Sequence, residues 1–277
     1  MKVMICIPIY KPQSSFTDEI VPLLQRQTIC LNLLVINSSQ EEIKIKTCEM
    51  IHIDQHTFNH ANTRNIALNY EADFYLFMTQ DAMPCDERLV EKLLKAFDDP
   101  DVMVAYARQI PYVDADAIER FARGTNYPSV SKIKSKKDLA ELSIKTFFCS
   151  DSCAMYRASY FKHVGGFKKD INTSEDMEFA ARAIMDDRKV AYVAEAKVYH
   201  SHTFTCKDIW KRYQAIGKFF RENKWIQDAA SQYVKVESTG IQQALAELKY
   251  LWAHSPRDIP RSVVCSLVKY AAIKLLK

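Results

Sequence analysis

Short apolar runs alternate with amphipathic segments through the first 107 residues, and this alternation constrains the fold more than any other feature. The run at residues 74–78 (FYLFM) is apolar throughout, which is typical of a strand buried on both faces of a sheet. Alternating strands and helices predict an α/β fold in which helices cover both faces of a mainly parallel sheet. The predicted strands lie at residues 3–9, 31–36, 50–53, 74–78 and 102–107, and the predicted helices at 15–27, 59–70 and 87–97.

The middle of the chain has a less regular pattern. The basic polar stretch at residues 131–137 (SKIKSKK) predicts a mobile loop. Ser174 is placed to cap a helix that begins with two acidic residues. The other segments predicted here are a helix at 115–123, a strand within 146–156, a helix from Glu175 to about Met185, and short strands at 189–193 and 196–199.

Beyond Cys206 the pattern becomes purely helical, so we place a domain boundary near residue 205. In the last predicted helix, Lys269 and Lys274 lie beside an apolar face. Two interpretations of these helices stay open, namely contact with an anionic membrane surface or packing against the first domain or a second subunit. The division gives domains of 1–205 and 206–277, the second with helices at 207–223, 241–252 and 260–276.

Several bulk properties limit the cellular setting. No run of about 18 apolar residues occurs, so the sequence predicts no transmembrane helix. The first ten residues are typical of a strand and lack the cleavage site of a signal peptide. The eight cysteines are scattered without a CxxC pair, as expected of reduced thiols in a cytosolic protein. We therefore expect a cytoplasmic protein, with peripheral contact at the inner face of the cell membrane if the terminal helices bind lipid.

Charge and glycine content exclude two classes of binding protein. The formal net charge of +4 is too small for a dedicated nucleic-acid binder. Only five glycines occur, and the first of them is Gly124. A Walker loop or a dinucleotide fingerprint near the first strand needs glycines, so neither is present there. If this protein binds a diphosphate, we expect side chains and a metal ion to contact it in place of a glycine-rich loop.

Polar residues follow the predicted strands, where the carboxyl ends of parallel strands form ligand sites. Asp81 follows the buried run at 74–78 and fits either a divalent-ion ligand or a turn residue. Asp176 opens a helix, where it fits either a general base or a simple cap. His200 and His202 should point to alternate sides of a strand end, so we expect that both rarely bind one ion. We interpret His52, His56 and His60 as solvated or capping residues.

Taken together, these segments resemble the family-2 glycosyltransferases of the GT-A fold, and more narrowly the bacterial rhamnosyltransferases. The order of the motifs along the chain matches that family over roughly the first 205 residues. The matching stretches are 58–67 (FNHANTRNIA), 77–84 (FMTQDAMP), 105–111 (AYARQIP), 126–128 (NYP), 146–157 (TFFCSDSCAMYR), 165–167 (GGF), 175–177 (EDM) and 198–202 (VYHSH).

The resemblance implies roles for individual residues. Asp81 falls on the metal-binding carboxylate of the family's Asp-x-Asp motif, whose first acidic position is Thr79 here. His200 falls on a metal-binding histidine, so the implied cofactor is Mn²⁺ or Mg²⁺, and an imidazole ligand favours Mn²⁺. Asp176 falls on the catalytic base, with Glu175 beside it. The implied nucleotide-sugar site comprises Pro8, Tyr10, Asn37, Arg64, Gln80 and Arg108, and the implied acceptor side comprises Gly166, Phe167 and His202.

The same resemblance implies an inverting transfer of a sugar, with dTDP-β-L-rhamnose as the expected donor. The expected acceptor is a glycan or a lipid-linked oligosaccharide in cell-surface polysaccharide synthesis. Two alternatives stay open: a UDP-hexose donor on the same scaffold, and a catalytically silent module that binds nucleotide sugars. The loss of the first acidic residue of the metal motif is the only feature that favours the silent module.

Overall fold

The structure is a computed structural model that describes residues 1–39, 41, 43, 45, 47–232 and 236–275. Its centre is a nine-stranded sheet with the order β3-β2-β1-β4-β8-β6-β9-β5, and β7 pairs with β9. The strands are β1 (Val3–Ile9), β2 (Leu31–Asn37), β3 (Glu49–His52), β4 (Phe74–Met78), β5 (Met83–Pro84), β6 (Val102–Ile110), β7 (Lys132–Lys134), β8 (Cys153–Arg157) and β9 (Lys189–Tyr199).

The sheet is mixed rather than uniform in direction. Strands β3, β2, β1 and β4 run parallel to one another, as the strand–helix alternation predicts. Strand β8 lies between β4 and β6 and is antiparallel to both. On its far side, β6 pairs with β9 in parallel. The antiparallel β8 therefore joins two parallel parts into one sheet, and the carboxyl ends of β1, β4, β6 and β9 lie at the same edge.

Helices cover both faces of the sheet, and the C-terminal part of the chain is helical. The helices are α1 (Val21–Gln25), α2 (His60–Arg64), α3 (Leu89–Leu94), α4 (Ala117–Asn126), α5 (Leu139–Leu142), α6 (Ala158–His163), α7 (Glu175–Met185), α8 (Cys206–Glu222), α9 (Lys224–Ser231), α10 (Val236–His254) and α11 (Ile259–Lys274). The last residue of the predicted helix 260–276 lies outside the described residues.

Each face of the sheet packs against its own hydrophobic cluster. Alternate residues of β1 show this, since Cys6 joins one cluster and Ile5 and Ile7 join the other. The first cluster is rich in aromatic rings, for example Phe77 and Tyr156, whose ring centroids lie 5.3 Å apart. Burial of both faces explains why the central strands are apolar without alternation.

The structure corrects the predicted loop at 131–137. This stretch forms β7, which pairs with β9, and Lys134 is buried. The ammonium of Lys134 donates hydrogen bonds to the backbone carbonyls of Lys145 and Phe148 and lies 4.9 Å from the centre of the Tyr106 ring. A lysine side chain can be buried when carbonyl groups and a ring face accept its charge, which a composition-based prediction of a loop ignores.

Three smaller predictions were also wrong. The strands predicted at 189–193 and 196–199 form one strand, β9, whose register against β6 shifts after Val193. Only the second half of the strand predicted within 146–156 is extended, because residues 143–147 form a short helical turn. Ser174 makes no side-chain cap and instead has a left-handed backbone with φ of 64°. Asn59, in contrast, caps α2 by accepting the N–H of Asn62.

The C-terminal helices pack against the rest of the protein. Helix α8 begins after Thr205, whose side chain accepts the N–H of Asp208, and it packs along α11. Arg261 of α11 forms a 2.6 Å ion pair with Asp116 at the start of α4. Packing against the first domain, one of the two open interpretations, is therefore observed, while the division at residue 205 stays a prediction. None of the helices within the described ranges is long and apolar enough to cross a bilayer.

We expect Gly166→Ala to destabilise the fold more than Gly165→Ala does. Both glycines have positive φ, 75° and 76°, so an alanine at either position costs about 1–3 kcal/mol of backbone strain. An added Cβ at Gly166 would also collide with the side-chain oxygen of Asn65, at a further cost of about 1–3 kcal/mol, whereas at Gly165 it meets nothing within 4 Å. Urea denaturation of both variants measures the difference, and equal losses would contradict this explanation.

Candidate active site

Two adjoining cavities open at the carboxyl edge of the sheet. The first cavity has a volume of about 430 Å³ and lies beyond the ends of β1 and β4. The central cavity is larger, about 660 Å³, and lies beyond the ends of β4, β6 and β9. Arg64 and His60 of α2, together with Thr79, line both cavities. A ligand with two ends could therefore lie across the two cavities, which is the position expected for ligands of open α/β sheets.

The central cavity brings together residues that are far apart in the sequence. Asp81, Asp176 and His200 all line it. Asp81 follows β4, Asp176 lies at the start of α7, and His200 follows β9. Its opposite wall is formed by the C-terminal helices, with Tyr213 of α8 and Lys269 of α11 among the lining residues. The roles that the family resemblance implies for Asp81, Asp176 and His200 require this convergence.

Asp81, His200 and His202 form a compact cluster of potential metal ligands. The Nε2 atoms of His200 and His202 lie 3.4 and 3.3 Å from the two carboxylate oxygens of Asp81. The two Nε2 atoms are 3.0 Å apart, and the ligand atoms of all three residues lie within 4.8 Å of one another. The expectation that the two imidazoles diverge was wrong, because β9 ends at Tyr199 and strand alternation does not continue beyond it.

The cluster fits a divalent cation. One carboxylate and two imidazoles form a mixed oxygen and nitrogen donor set, which suits Mn²⁺ better than Mg²⁺. Nδ1 of His200 lies 2.9 Å from Oε1 of Gln109, a contact that directs Nε2 towards the cluster when Nδ1 carries the proton. Burial alone would raise the pKa of Asp81, but hydrogen bonding and charge from His200 outweigh it and hold that pKa below its ordinary value.

Asp176 lies in the first turn of α7 and faces the central cavity. Its Oδ2 accepts the backbone N–H of Asp151 at 3.0 Å, and its Oδ1 accepts the N–H of Met177 at 2.7 Å. Burial, followed by the negative charge of Glu175, raises the pKa of Asp176 to about 6. A carboxylate with such a pKa is ionised at neutral pH and is a stronger base than an ordinary aspartate.

Glu175 and Arg64 form a buried ion pair between the two cavities. The guanidinium of Arg64 donates a hydrogen bond to Glu175, and only 3% of the Arg64 side chain is exposed. The same guanidinium lies 3.3 Å from Nδ1 of His60. His60 is the first residue of α2, which Asn59 caps, and its side chain is exposed as the sequence interpretation expected, although its ring also contacts Arg64. Arg64 reaches the cavity surface, but carboxylates already oppose most of its charge.

Several residues of the expected nucleotide-sugar site line the first cavity. Pro8 and Tyr10 lie on its wall at the end of β1. Gln80 holds the backbone of Tyr10 in place, because its side chain accepts the N–H of Tyr10 at 2.7 Å and donates to the carbonyl at 3.1 Å. Asn37 does not reach the cavity, since it is buried and bonds Ser39 and the backbone of Glu41.

Other expected site residues lie away from both cavities. Arg108 lines neither of them. The turn that contains Gly166 and Phe167 is held by Asn65, which donates to the carbonyl of Phe167 and accepts its N–H. The Phe167 ring is fully buried in the aromatic cluster, so this turn has a structural function in the described chain. His202 was also expected on the acceptor side, but it lines the central cavity as part of the cluster with Asp81 and His200.

Sequence reasoning missed Asp151 and assigned no role to Gln109, which follows the predicted strand at 102–107. Asp151 is buried beside Arg64 and Asp176, and Gln109 contacts both His200 and Arg123. The single acidic residue in the stretch 146–157 was a usable signal for Asp151, because a buried carboxylate needs polar partners. The position of Gln109 after a predicted strand indicated a site residue, but its contacts depend on where β6 meets β9.

Comparison with known proteins gives relatives over the whole chain. The O-antigen chain rhamnosyltransferase RfbN of Salmonella typhimurium is 35% identical over 286 aligned residues, which cover 100% of this chain and 90% of RfbN. The O-antigen chain rhamnosyltransferase WbaN of Salmonella anatum is 36% identical, with coverage of 98% and 88%.

Solved structures of glycosyltransferases share the fold at much lower identity. The mannosyltransferase PcManGT of Pyrobaculum calidifontis, solved with GDP-Man and Mn²⁺, superposes with a TM-score of 0.62 at 12% identity, covering 100% of this chain and 88% of that one. TarS of S. aureus, residues 1–349 with UDP, superposes with a TM-score of 0.55 at 14% identity, covering 99% and 89%.

These similarities confirm the GT-A fold and the enzyme class that the resemblance implied. Residues 76–273 match the family described as Glycosyl transferase family group 2, so the match extends from β4 through the metal cluster and into α11. A match over this length, together with relatives that are more than 30% identical from end to end, places the chain in one family. The chain belongs to glycosyl transferase family group 2.

Proposed function

We propose that this glycosyltransferase moves L-rhamnose from dTDP-β-L-rhamnose to a glycan or lipid-linked acceptor during synthesis of a cell-surface polysaccharide, with inversion at the anomeric carbon. The sugar and the pathway are supported by the similarity to RfbN and WbaN, which are O-antigen chain rhamnosyltransferases. The observation that carries the proposal is the shared central cavity of Asp81, His200 and Asp176. In this cavity a cluster that can bind a metal ion and a basic carboxylate lie close enough to serve the leaving group and the acceptor of the same sugar transfer.

The leaving-group side is assigned to the metal cluster. Asp81, His200 and His202 would hold Mn²⁺ or Mg²⁺, which when bound supplies positive charge next to the departing diphosphate. Gln109 fixes the ring of His200 and thereby keeps its Nε2 in place. The nucleoside part of the donor would lie in the first cavity, where Tyr10 and Phe58 offer aromatic surface for a base.

The attacking side is assigned to Asp176. Its carboxylate removes the proton of the acceptor hydroxyl while that oxygen bonds to the anomeric carbon from the face opposite the diphosphate. The bond between the anomeric carbon and the diphosphate oxygen breaks, and the nucleoside diphosphate leaves with the electron pair. The proton stays on Asp176. A single in-line displacement of this kind converts a β-linked donor sugar into an α-L-rhamnoside.

The acceptor side would be completed by the C-terminal helices. Tyr213, Glu247 and Lys269 come from α8, α10 and α11, and all line the central cavity opposite the sheet. We therefore propose that the region after residue 205 shapes the acceptor pocket as well as stabilising the fold. In this arrangement the acceptor enters between the sheet and the helices and presents its hydroxyl to Asp176.

We expect dTDP-β-L-rhamnose to be hydrolysed slowly in the presence of Mn²⁺, because water can replace the acceptor at Asp176. Release of nucleoside diphosphate would be measured for dTDP-rhamnose, UDP-glucose, UDP-GlcNAc and GDP-mannose. Turnover of dTDP-rhamnose at a rate at least about 10-fold above the others supports the assignment. Preferential turnover of a UDP-sugar would favour the alternative donor, and tight donor binding without turnover on any acceptor pool would favour the silent module.

We also propose that the enzyme works at the inner face of the cell membrane. Residues 240–275 carry five lysine and arginine side chains but only two acidic ones, of which Glu247 is buried. Large apolar side chains are exposed on the same helices, including Trp252 (75% exposed) and Leu267 (63%). Exposed aromatic and aliphatic side chains next to cationic ones favour anionic lipid surfaces.

Vesicle sedimentation tests this localisation. We expect the protein to bind vesicles that contain phosphatidylglycerol but not vesicles of phosphatidylcholine alone, with binding weakened by salt. The double variant Trp252→Glu/Leu267→Glu should lose at least about 10-fold in binding. Val130→Glu, which alters an exposed valine outside these helices, is the matched control. Equal binding of both variants, or a wild-type dimer that the double variant disrupts, would contradict membrane contact.

A further inference from the structure

Asp151 is a buried carboxyl next to the proposed base, and nothing in the proposed reaction uses it so far. It lies in the turn before β8, with 3% of its side chain exposed. Its Oδ1 accepts a 2.6 Å hydrogen bond from the hydroxyl of Tyr156, which belongs to β8. Its Oδ2 lies 3.5 Å from Nε of Arg64, and neither of these two buried atoms has a hydrogen-bond partner among the described residues.

The backbone of the same residue reaches Asp176. Two N–H groups fix the rotation of the Asp176 carboxylate, and only the one from Met177 belongs to α7. The other comes from Asp151, in a turn that is separate from that helix. The direction of this N–H depends on the position of the turn, and the position of the turn depends on what holds its side chain.

We propose that Asp151 is a positioning residue, whose side chain is anchored by Tyr156 so that its backbone N–H holds the Asp176 carboxylate towards the acceptor hydroxyl. This role rests on the proposed function of Asp176 as the general base. Asp151 itself touches neither donor nor acceptor in this account. A base that is free to rotate would lose alignment, and misplacement of a reacting group by about 1 Å can cost about 10²-fold in rate.

Burial, more than any neighbouring charge, sets the protonation of the Asp151 carboxyl. Burial, opposed by Arg64 and reinforced by the charge of Asp176, raises the pKa of Asp151 well above its ordinary value. The other ionisable groups near the pair include Glu175, which is paired with Arg64, and five buried groups whose own pKa values are raised, namely Cys6, Cys149, Cys153, Tyr127 and Tyr156. An asparagine would keep the shape of the Asp151 side chain, and its amide oxygen would still accept the Tyr156 hydrogen bond.

The test compares Asp151→Ala, Asp151→Asn and Tyr156→Phe with the wild type. Nucleoside diphosphate release from dTDP-rhamnose with Mn²⁺ would be followed across pH to give kcat and the donor KM. We expect Asp151→Ala to lower kcat at least about 10-fold with the donor KM changed less than about twofold. The acid limb of its kcat profile should move to higher pH, because the lost N–H bond no longer stabilises the ionised Asp176.

The conservative variants show whether Asp151 acts by positioning Asp176 or through its own charge. Asp151→Asn should stay within about threefold of the wild type with an unmoved acid limb, and Tyr156→Phe should shift the limb in the same direction as Asp151→Ala. Tyr160→Phe is the matched control, since it removes a 3.1 Å hydrogen bond to Asp186 elsewhere in the same core and should leave the pH profile unchanged. If Asp151→Asn were as impaired as Asp151→Ala, or if the limb did not move in Asp151→Ala, the proposal would be overturned.

A crystal structure of Asp151→Ala, or of Tyr156→Phe if the alanine variant does not fold, tests the geometry without turnover. We expect the hydrogen bond between residue 151 and Asp176 to be lost and the carboxylate to rotate. An unmoved carboxylate would overturn the positioning role whatever the activity. A wild type that hydrolyses no nucleotide sugar would instead refute the proposed function, so the two failures can be distinguished.

Discussion

Asp176→Asn should lower turnover by about 10²- to 10⁴-fold while leaving donor affinity nearly unchanged. The substitution keeps the shape of the side chain but removes the group that accepts the acceptor proton. Donor binding should survive because the proposed contacts of the donor lie in the first cavity and at the metal cluster, not at Asp176. Single-turnover kinetics and calorimetric titration with the donor would measure the two quantities separately.

The pH dependence of the wild type provides a second measure of the same residue. Because burial and Glu175 raise the pKa of Asp176 to about 6, kcat should fall as the pH drops below about 6, where the carboxylate becomes protonated. Asp187→Asn is a suitable control, since that carboxylate is 81% exposed and lies outside both cavities. A loss of donor binding in Asp176→Asn that matches its loss of turnover would argue against a base.

Asp81→Asn should weaken Mn²⁺ binding at least about 100-fold and abolish metal-stimulated turnover. The substitution removes the only carboxylate of the cluster, and loss of even a supporting group around a metal costs about 10- to 100-fold in affinity. Mn²⁺ affinity would be measured by calorimetry in the presence of dTDP, with a chelator-treated wild type as reference.

The metal prediction has a matched control in Glu87→Gln. Glu87 is an exposed carboxylate that pairs with Arg26, outside the central cavity, so its loss should leave Mn²⁺ affinity unchanged. His202→Ala should weaken Mn²⁺ binding as well, because its Nε2 lies within the cluster. Wild-type Mn²⁺ affinity in Asp81→Asn would show that the cation binds elsewhere.

Periodic patterns in the sequence predicted the buried part of the fold well. The strands at 3–9 and 74–78 coincide with β1 and β4, because strands covered on both faces are continuous apolar runs with clear ends. The stretch at 131–137 failed for the opposite reason. Its lysines predicted a solvated loop, whereas Lys134 is buried against the backbone carbonyls of Lys145 and Phe148. These residues lie 11 and 14 positions later in the chain, so the contacts could not be predicted from the local sequence.

The candidate site could be predicted where the order of the family motifs along the chain identified its residues. It was less predictable where contacts between distant segments determine the positions of side chains. The roles that the family resemblance implies for Asp81, Asp176 and His200 require one common cleft, and the three residues do share a cavity. The participation of His202 could not be predicted from strand alternation, because the strand ends one residue before His200. The burial of Asn37 outside the lining of the first cavity could not be predicted either, since it depends on a turn that the Asn37 side chain closes by hydrogen bonding to Ser39.

The most direct test of the account is a crystal structure of the protein with dTDP and Mn²⁺, with the cation located by anomalous scattering. We expect one Mn²⁺ held by Asp81, His200 and His202, with the diphosphate beside it, the nucleoside in the first cavity, and the Asp176 carboxylate facing the open part of the central cavity. A nucleotide bound away from the cluster, or an Asp176 side chain turned out of the cavity that holds the diphosphate, would contradict the account.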